Sequence, residues 1–357
     1  MHAHIINRTE DLVAFRTEWN RLYDSVPEDT VLFSSWDYIH GYVSFHQPVN
    51  WFVVALYPNQ AASRPIAIFP LELHEGMVAG NRVKICRSLG LLYAVYTDYL
   101  VAPDHRADSL GALVQVLKQS FDCDALLFGL THENSKNYLL LAESAARDEC
   151  KIIRQKIAPY IDTRSIAFET LFAEKKKSTR ADAQRCIRRL SEQGTLEFST
   201  APPDAAAIEA LVSRHAEKFS GHHHNDSISA NWQDFFRHIA GNETYRTIID
   251  YSALKLNGST IAAHLGFKGK GRRVYTLPIY DERFERYSPA KVLLYRLIET
   301  AYAEREVFCF GPALYPYKLD WCQATAELKF IWLFLTPKAK SLLPDRACGG
   351  LAGLFDG

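Results

Sequence analysis

The 357-residue chain has no uninterrupted apolar stretch approaching the roughly 20 residues of a membrane-spanning helix, so no membrane segment is expected. It also lacks paired cysteines. Its seven, Cys86, Cys123, Cys150, Cys186, Cys309, Cys322 and Cys348, never come closer than 13 residues. That spacing excludes a CxxC-type zinc or redox site and fits reduced thiols. Charge of one sign is missing too: 41 basic residues balance 41 acidic ones. A formal net charge of zero argues against a dedicated nucleic-acid or membrane-surface binder, although local patches survive the average. The opening MHAHIINRTEDL has no basic segment followed by an apolar run, so no secretory leader is expected and the cytoplasm is the expected compartment. A long coiled-coil stretch is absent as well.

What is present is ordinary for a globular enzyme, 48% hydrophobic and 23% charged, at a length that implies two domains. The composition changes near Asp162–Ser165, which places the expected domains at 1–164 and 165–357. The first half reads as a strand, a helix over 10–24, a short helix from Ser35, and strands 51–57, 64–74, 81–89 and 97–102. Helix 106–121, strand 125–130, helix 135–146 and strand 151–161 follow. The second half repeats this element order, beginning with helical sequence over 167–193 that Gly194 would cap. It continues with strand 195–200, helix 204–219, a loop over 220–230 and helix 231–240. A last long strand covers 328–335, and a Gly-rich tail follows it.

The most informative stretch is Thr260–Trp321. Thr260–Phe267 and Val274–Tyr280 read as strands joined by the turn KGKGRR, with Gly269 and Gly271 free to take positive φ. From Pro289 the period becomes helical, with Val292, Leu293, Leu297, Ile298 and Ala301 on one face. Ser288 suits the N-cap and Pro289 the first turn. A strand that runs through a small loop into a helix N-terminus offers backbone N–H groups and a positive dipole end to an anion. A capped amphipathic helix without a ligand would give the same pattern.

The stretch carries Tyr280, Asp281, Phe284, Ser288, Pro289, Ala290 and Lys291, then Phe310, Gly311, Tyr317, Lys318 and Trp321. This wording resembles the CelD/BcsL acetyltransferases, relatives of the FemAB peptidyltransferases within the GCN5-related N-acyltransferases (GNAT). Ala290 stands where that family has Gly and Glu282 where it has Pro. In the general (Gln/Arg)-x-x-Gly-x-(Gly/Ala) element, Glu285, Ser288 and Ala290 take the defining places. A glutamate there would have to turn outward, with Arg286 taking its role.

The resemblance implies an α+β fold of two GNAT-like domains, each a mixed, mostly antiparallel sheet flanked by helices. The first, without a phosphate loop, would shape the acceptor side, and the second would bind acetyl-CoA or another acyl-CoA. Leu277, Ile279, Tyr280, Arg286, Tyr287, Ser288, Ala290 and Lys291 would hold the coenzyme. The oxyanion donor would be a backbone N–H of Leu277, Ile279 or Tyr280, because Pro278 has none. Tyr317 or Tyr315 would protonate the leaving thiolate, with Tyr275 behind them. His264, on the strand before the turn, is the candidate base or else a structurally satisfied histidine. Asp98 resembles the acidic residue that orients the acceptor amine. Lys318, Tyr315 and Trp321 would face a small-molecule or saccharide acceptor. No metal is expected, because the adjacent His222, His223 and His224 cannot converge on one ion; GHHHND reads as a loop at the acceptor entrance.

The basic run Lys175–Arg189 holds seven cations against Asp182 and is either a phosphate clamp or a solvated helix face. Two competing functions stay open. One is a FemAB-like transferase using aminoacyl-tRNA, the sole case in which nucleic acid is a partner. The other is a binding protein with a degenerate coenzyme loop.

Overall fold

The computed structural model describes residues 1–145, 150–219 and 230–343, in two units. Unit 1 is Met1–Ile157 together with the chain from Ala326, and unit 2 is Ala158–Thr325.

Unit 1 begins with β1 (His2–Ile6), followed by α1 (Thr9–Ala14) and α2 (Arg16–Ser25), which divide the expected first helix at Phe15. After α3 (Trp36–His46) come β2 (Trp51–Tyr57), β3 (Ala67–Val78) and β4 (Asn81–Ser88). These pair antiparallel in sequence order as a meander. Of the expected strand 97–102 only β5 (Leu100–Val101) forms. The residues before it are held otherwise: Thr97 N–H donates to Leu130 O, and Thr30 Oγ1 and Asn137 Nδ2 donate to the Asp98 carboxylate. Helix α4 (Arg106–Phe121) crosses to β6 (Ala125–His132), which lies parallel to β4 and is buried along its whole length. Helix α5 (Lys136–Ala145) and β7 (Cys150–Asp162) follow.

Unit 2 repeats that plan. The expected helix over 167–193 is two, α6 (Phe168–Glu174) and α7 (Lys177–Ser191). They separate where Lys175 and Lys176 take extended backbone and Lys175 Nζ donates to Cys322 O (2.7 Å). Then come β8 (Leu196–Ser199), α8 (Ala205–Phe219), α9 (Ala230–Gly241), β9 (Ile249–Leu256), β10 (Ser259–Gly269) and β11 (Arg272–Tyr280), with β8 to β11 an antiparallel meander. Helix α10 (Pro289–Glu304) crosses to β12 (Val307–Cys309), parallel to β11. The apolar face expected on α10 packs in the core of this unit, with Leu293, Leu297, Ile298 and Ala301 fully buried. Helix α11 (Pro316–Trp321), β13 (Ala324–Phe334) and α12 (Pro337–Leu342) complete the described chain.

The expected domain limits need correction. The break falls at Ile157/Ala158, and the second domain does not run to the end of the chain. The reason is strand pairing. The end of β7 pairs antiparallel with β12, and β13 pairs antiparallel with β6. Each meander therefore receives its sixth strand from the other half of the sequence.

Charge is buried in the β9–β11 meander. Arg273, 1% exposed, makes ion pairs with Asp250, Glu304 (2.7 Å) and Glu306 (2.9 Å). Burial lifts the Asp250 carboxyl to about 6, against the opposing pull of Arg273. Removing one partner of such a group leaves uncompensated buried charge, at a cost of about 3–5 kcal/mol. Arg273→Met is expected to lose that much in urea unfolding, with part recovered when Asp250→Asn is added. A loss below about 1 kcal/mol would show that the cluster does not hold the meander.

Candidate active site

Strands β11 and β12 pair over only three residues, Arg272–Val274 against Val307–Cys309. Beyond Val274 they part. Gly311 lies where they diverge, at φ 71°, and a Cβ built there would come 3.0 Å from Tyr275 O. The glycine of the Phe310–Gly311 pair thus permits both the turn and the close approach.

On its other edge β11 stays bonded to β10. Asp281 N–H donates to Ile261 O (2.8 Å), and the register sets Ile279 against Ala263 and Leu277 against Leu265. Bonding residues alternate along an antiparallel ladder, so Leu277 and Ile279 turn their N–H groups to β10. Pro278 and Tyr280 turn their main chain to the open side. The missing N–H of Pro278 costs no ladder bond there, and Tyr280 keeps a donor at the gap.

After β11 a 3₁₀ turn (Glu282–Tyr287) leads to Ser288 and α10. Ser288 occupies the expected N-cap position but makes no side-chain cap bond; it is left-handed, at φ 54° and ψ 55°. It therefore adopts the backbone for which glycine is the usual residue. The first turn of α10 carries Pro289 and no acidic side chain.

A cavity of about 770 Å³ opens between these elements, within the range of small-molecule sites. Strand β11 contributes Tyr275, Pro278 and Tyr280; α10 contributes Ala290, Lys291 and Leu294; α11 contributes Tyr317, Asp320 and Trp321. Helix α7 adds Asp182, Ala183 and Arg185, and α8 adds Lys218. Lys291 Nζ (2.5 Å) and Arg185 both bind the Asp182 carboxylate, and Lys291, with Arg185, holds it below its usual range. The Lys218 ammonium stands 3.4 Å above the Tyr280 ring. Asp320 makes no ion pair among the described residues.

The site residues expected from the sequence fall into three groups. Tyr275, Tyr280, Ala290, Lys291, Tyr317 and Trp321 line the cavity. Burial pushes the Tyr317 hydroxyl up to about 12 and drives Tyr275 well above its ordinary value, with Tyr317 reinforcing the latter. Tyr315 stacks parallel to Tyr317 at 6.1 Å and is exposed. Arg286 and Tyr287 stand beside the α10 N-terminus, the guanidinium 4.7 Å from the ring. Glu285 is exposed and accepts from Tyr280 OH (3.1 Å), outside the cavity lining.

His264, Lys318 and Asp98 are engaged elsewhere. His264 is fully buried and stacks on Tyr275 at 4.8 Å. Its Nε2 accepts from Thr276 N–H (3.2 Å), and burial, with Arg273 adding to it, lowers its pKa to about 3. The imidazole is thus neutral and its lone pair occupied. Lys318 is buried too, its Nζ donating to Pro312 O (2.8 Å) and Gly311 O (3.4 Å), and burial lowers it to about 8. It ties α11 to the turn after β12. Asp98, buried within unit 1, accepts from Thr30, Asn137 and its neighbour Tyr99 N–H. His222, His223 and His224 lie outside the described residues. Among those described, no cluster of His, Cys, Asp or Glu could hold a metal ion, and no helix is long and apolar enough to cross a membrane.

Three lining residues went unnoticed in the sequence. Asp320 had a signal, three residues after Tyr317 and so on the same helical face. Asp182 and Lys218 had none, because Asp182 meets Lys291 across 109 residues and Lys218 meets Tyr280 only through the fold.

Residues 177–319 match the family model described as an acetyltransferase (GNAT) domain. In fold the chain is similar to the crystal structure of FemX, with a TM-score of 0.64 at 10% identity over 95% of this chain and 99% of that one. L-PGS from Bacillus licheniformis superposes with a TM-score of 0.53 at 11% identity, over 90% of this chain and 92% of that one. The C-terminal domain of a putative lysylphosphatidylglycerol synthetase from Agrobacterium fabrum gives 0.52 at 13% identity, over 93% and 94%. No curated protein matches the sequence. The fold is thus the GNAT fold, with mixed, mostly antiparallel sheets flanked by helices, and the cavity lies within the acetyltransferase domain.

A methyl group at Gly311 meets both the positive φ and the Tyr275 carbonyl. Gly311→Ala is expected to destabilise the protein by about 1–2 kcal/mol, read from the shift of its urea midpoint. An unchanged midpoint would mean that the strands can part without a glycine there.

Proposed function

We propose that the protein transfers an acyl group, acetyl in the simplest case, from an acyl-CoA to the amine of a small-molecule or saccharide acceptor. The observation that carries this is the parting of β11 from β12, which opens one cavity reaching from the N-terminus of α10 to the Tyr317 hydroxyl. The match to an acetyltransferase domain supports the same reaction. The CelD/BcsL-like wording of Tyr280–Lys291 and Phe310–Trp321 supports an acceptor of the saccharide class.

The first-turn N–H groups of α10 and the Lys291 ammonium receive the pyrophosphate. Tyr280 N–H, turned to the gap, donates to the thioester oxygen as negative charge builds there. The Asp320 carboxylate takes a proton from the acceptor ammonium. The freed nitrogen forms the new C–N bond as the C–S bond breaks, and Tyr317 gives its proton to the departing sulfur. With a pKa of about 12, Tyr317 carries that proton at neutral pH. No cysteine lines the cavity, which supports direct attack over an acyl-enzyme. His264 serves as a positioning residue by fixing the Tyr275 ring.

A second reading, transfer from aminoacyl-tRNA, is compatible with the FemX-like fold and the cations of α7. Calorimetric titration separates the two. Acetyl-CoA and CoA are expected to bind in the micromolar range, and Ala290→Asp, which sets a carboxylate against the pyrophosphate, is expected to abolish binding in a folded protein. Tyr317→Phe should leave acetyl-CoA affinity intact and lower kcat about 100-fold. If neither nucleotide binds the wild type, the acyl-CoA reading is wrong.

A further inference from the structure

The basic run that opens unit 2 divides into cations with partners and cations without. Along α7, Arg185 binds Asp182 and Arg188 approaches Glu192 at 3.8 Å. Arg189 differs: its guanidinium lies 5.3 Å from the centre of the Tyr287 ring, and no carboxylate pairs with it among the described residues. Arg286, from the turn before α10, lies 4.7 Å from the same ring and is likewise without an ion pair. Two guanidinium groups from segments almost a hundred residues apart thus meet at one tyrosine with no counter-charge between them.

Tyr287 gives the pair a rigid seat. It is 8% exposed, packed in the core of unit 2 with Val292 and Leu293. It immediately precedes Ser288, whose left-handed turn starts α10. Like charges brought together repel unless an anion lies between them, and each cation–π contact offsets only about 0.5–1 kcal/mol at an exposed site. The arrangement suits a phosphate monoester, whose two charges and three oxygens match the paired forks of two arginines.

We propose that Arg189 and Arg286 bind the 3′-phosphate of the coenzyme ribose and so make the site select CoA over nucleotides lacking that group. The proposal rests on the acyl-CoA reading and extends it to the adenosine end of the ligand. A nucleic-acid track is the weaker fit. It would call for a stripe of free cations, whereas Arg185 and Arg188 on the same helix are engaged by acids.

The test compares CoA with 3′-dephospho-CoA by calorimetry, in the wild type and in the Arg189→Ala/Arg286→Ala double variant. The wild type is expected to prefer CoA by about ten- to a hundred-fold. The double variant should bind both nucleotides with the affinity that the wild type shows for dephospho-CoA. An Arg189→Lys/Arg286→Lys protein, with its charge kept, should recover part of the preference and controls for misfolding. Equal wild-type affinity for the two nucleotides would overturn the proposal and leave the acyl-CoA reading intact. So would a double variant that weakens both equally. If the double variant leaves both nucleotides unaffected but loses salt-dependent binding of bulk tRNA, the arginines belong to an RNA surface and the proposal falls. Failure of both nucleotides to bind the wild type would remove the coenzyme reading itself, and this proposal with it.

Discussion

The close approach of Gly311 to the Tyr275 carbonyl is the contact on which the site depends. It lies where β11 and β12 stop bonding to each other after three residue pairs. Had pairing continued, Tyr280 N–H would be satisfied by a neighbouring strand and the space beside Pro278 would be filled. Because the strands part, β11 has one edge locked to β10 and one edge free, and α10 starts at the top of the gap with its N–H groups unpaired. The cavity, its one free backbone donor and its anion-facing helix end all follow from that divergence.

Holding a strand with one unpaired edge requires support from behind, and buried polar groups supply it. Arg273 anchors the base of β11 to Asp250 on β9 and to Glu304 and Glu306 at the end of α10. His264 fills the adjacent position, its ring flat against Tyr275 and its Nε2 on Thr276 N–H. Gly266 makes room for it: a Cβ there would come 2.7 Å from the imidazole and closer still to Val274 O. These groups face away from the cavity, yet they set where Tyr275 stands at its wall. Lys318 does the corresponding work on the other side, tying α11, and with it Tyr317, to the carbonyls of Gly311 and Pro312.

Much of this was legible from local pattern. The apolar spacing of Val292 to Ala301 gave the buried face of α10, and Pro289 gave its start, because helix period and proline geometry are properties of neighbouring residues. The strand–loop–helix around Tyr280–Lys291 was legible for the same reason. The exchange of β7 and β13 was not, since strand pairing joins residues far apart in sequence and leaves no trace in the composition of either strand. His264 and Lys318 show the limit for single residues. Both carry the chemistry of a catalytic group, and only the fold decides whether a lone pair or an ammonium faces a cavity or the chain's own backbone. Ser288 lies between these cases: its position was foreseeable, while its left-handed backbone came from the turn before it.

The central claim, that the gap beside β11 receives an acyl-CoA, is tested most directly by fluorine NMR on protein labelled with 5-fluorotryptophan. Of the six tryptophans, Trp321 lines the cavity, and Trp19 and Trp332 lie buried in unit 1. On titration with CoA, the Trp321 signal, assigned through Trp321→Phe, should shift in a saturable way while those of Trp19 and Trp332 stay in place. A titration that saturates while Trp321 remains unmoved would place the coenzyme elsewhere and contradict the account.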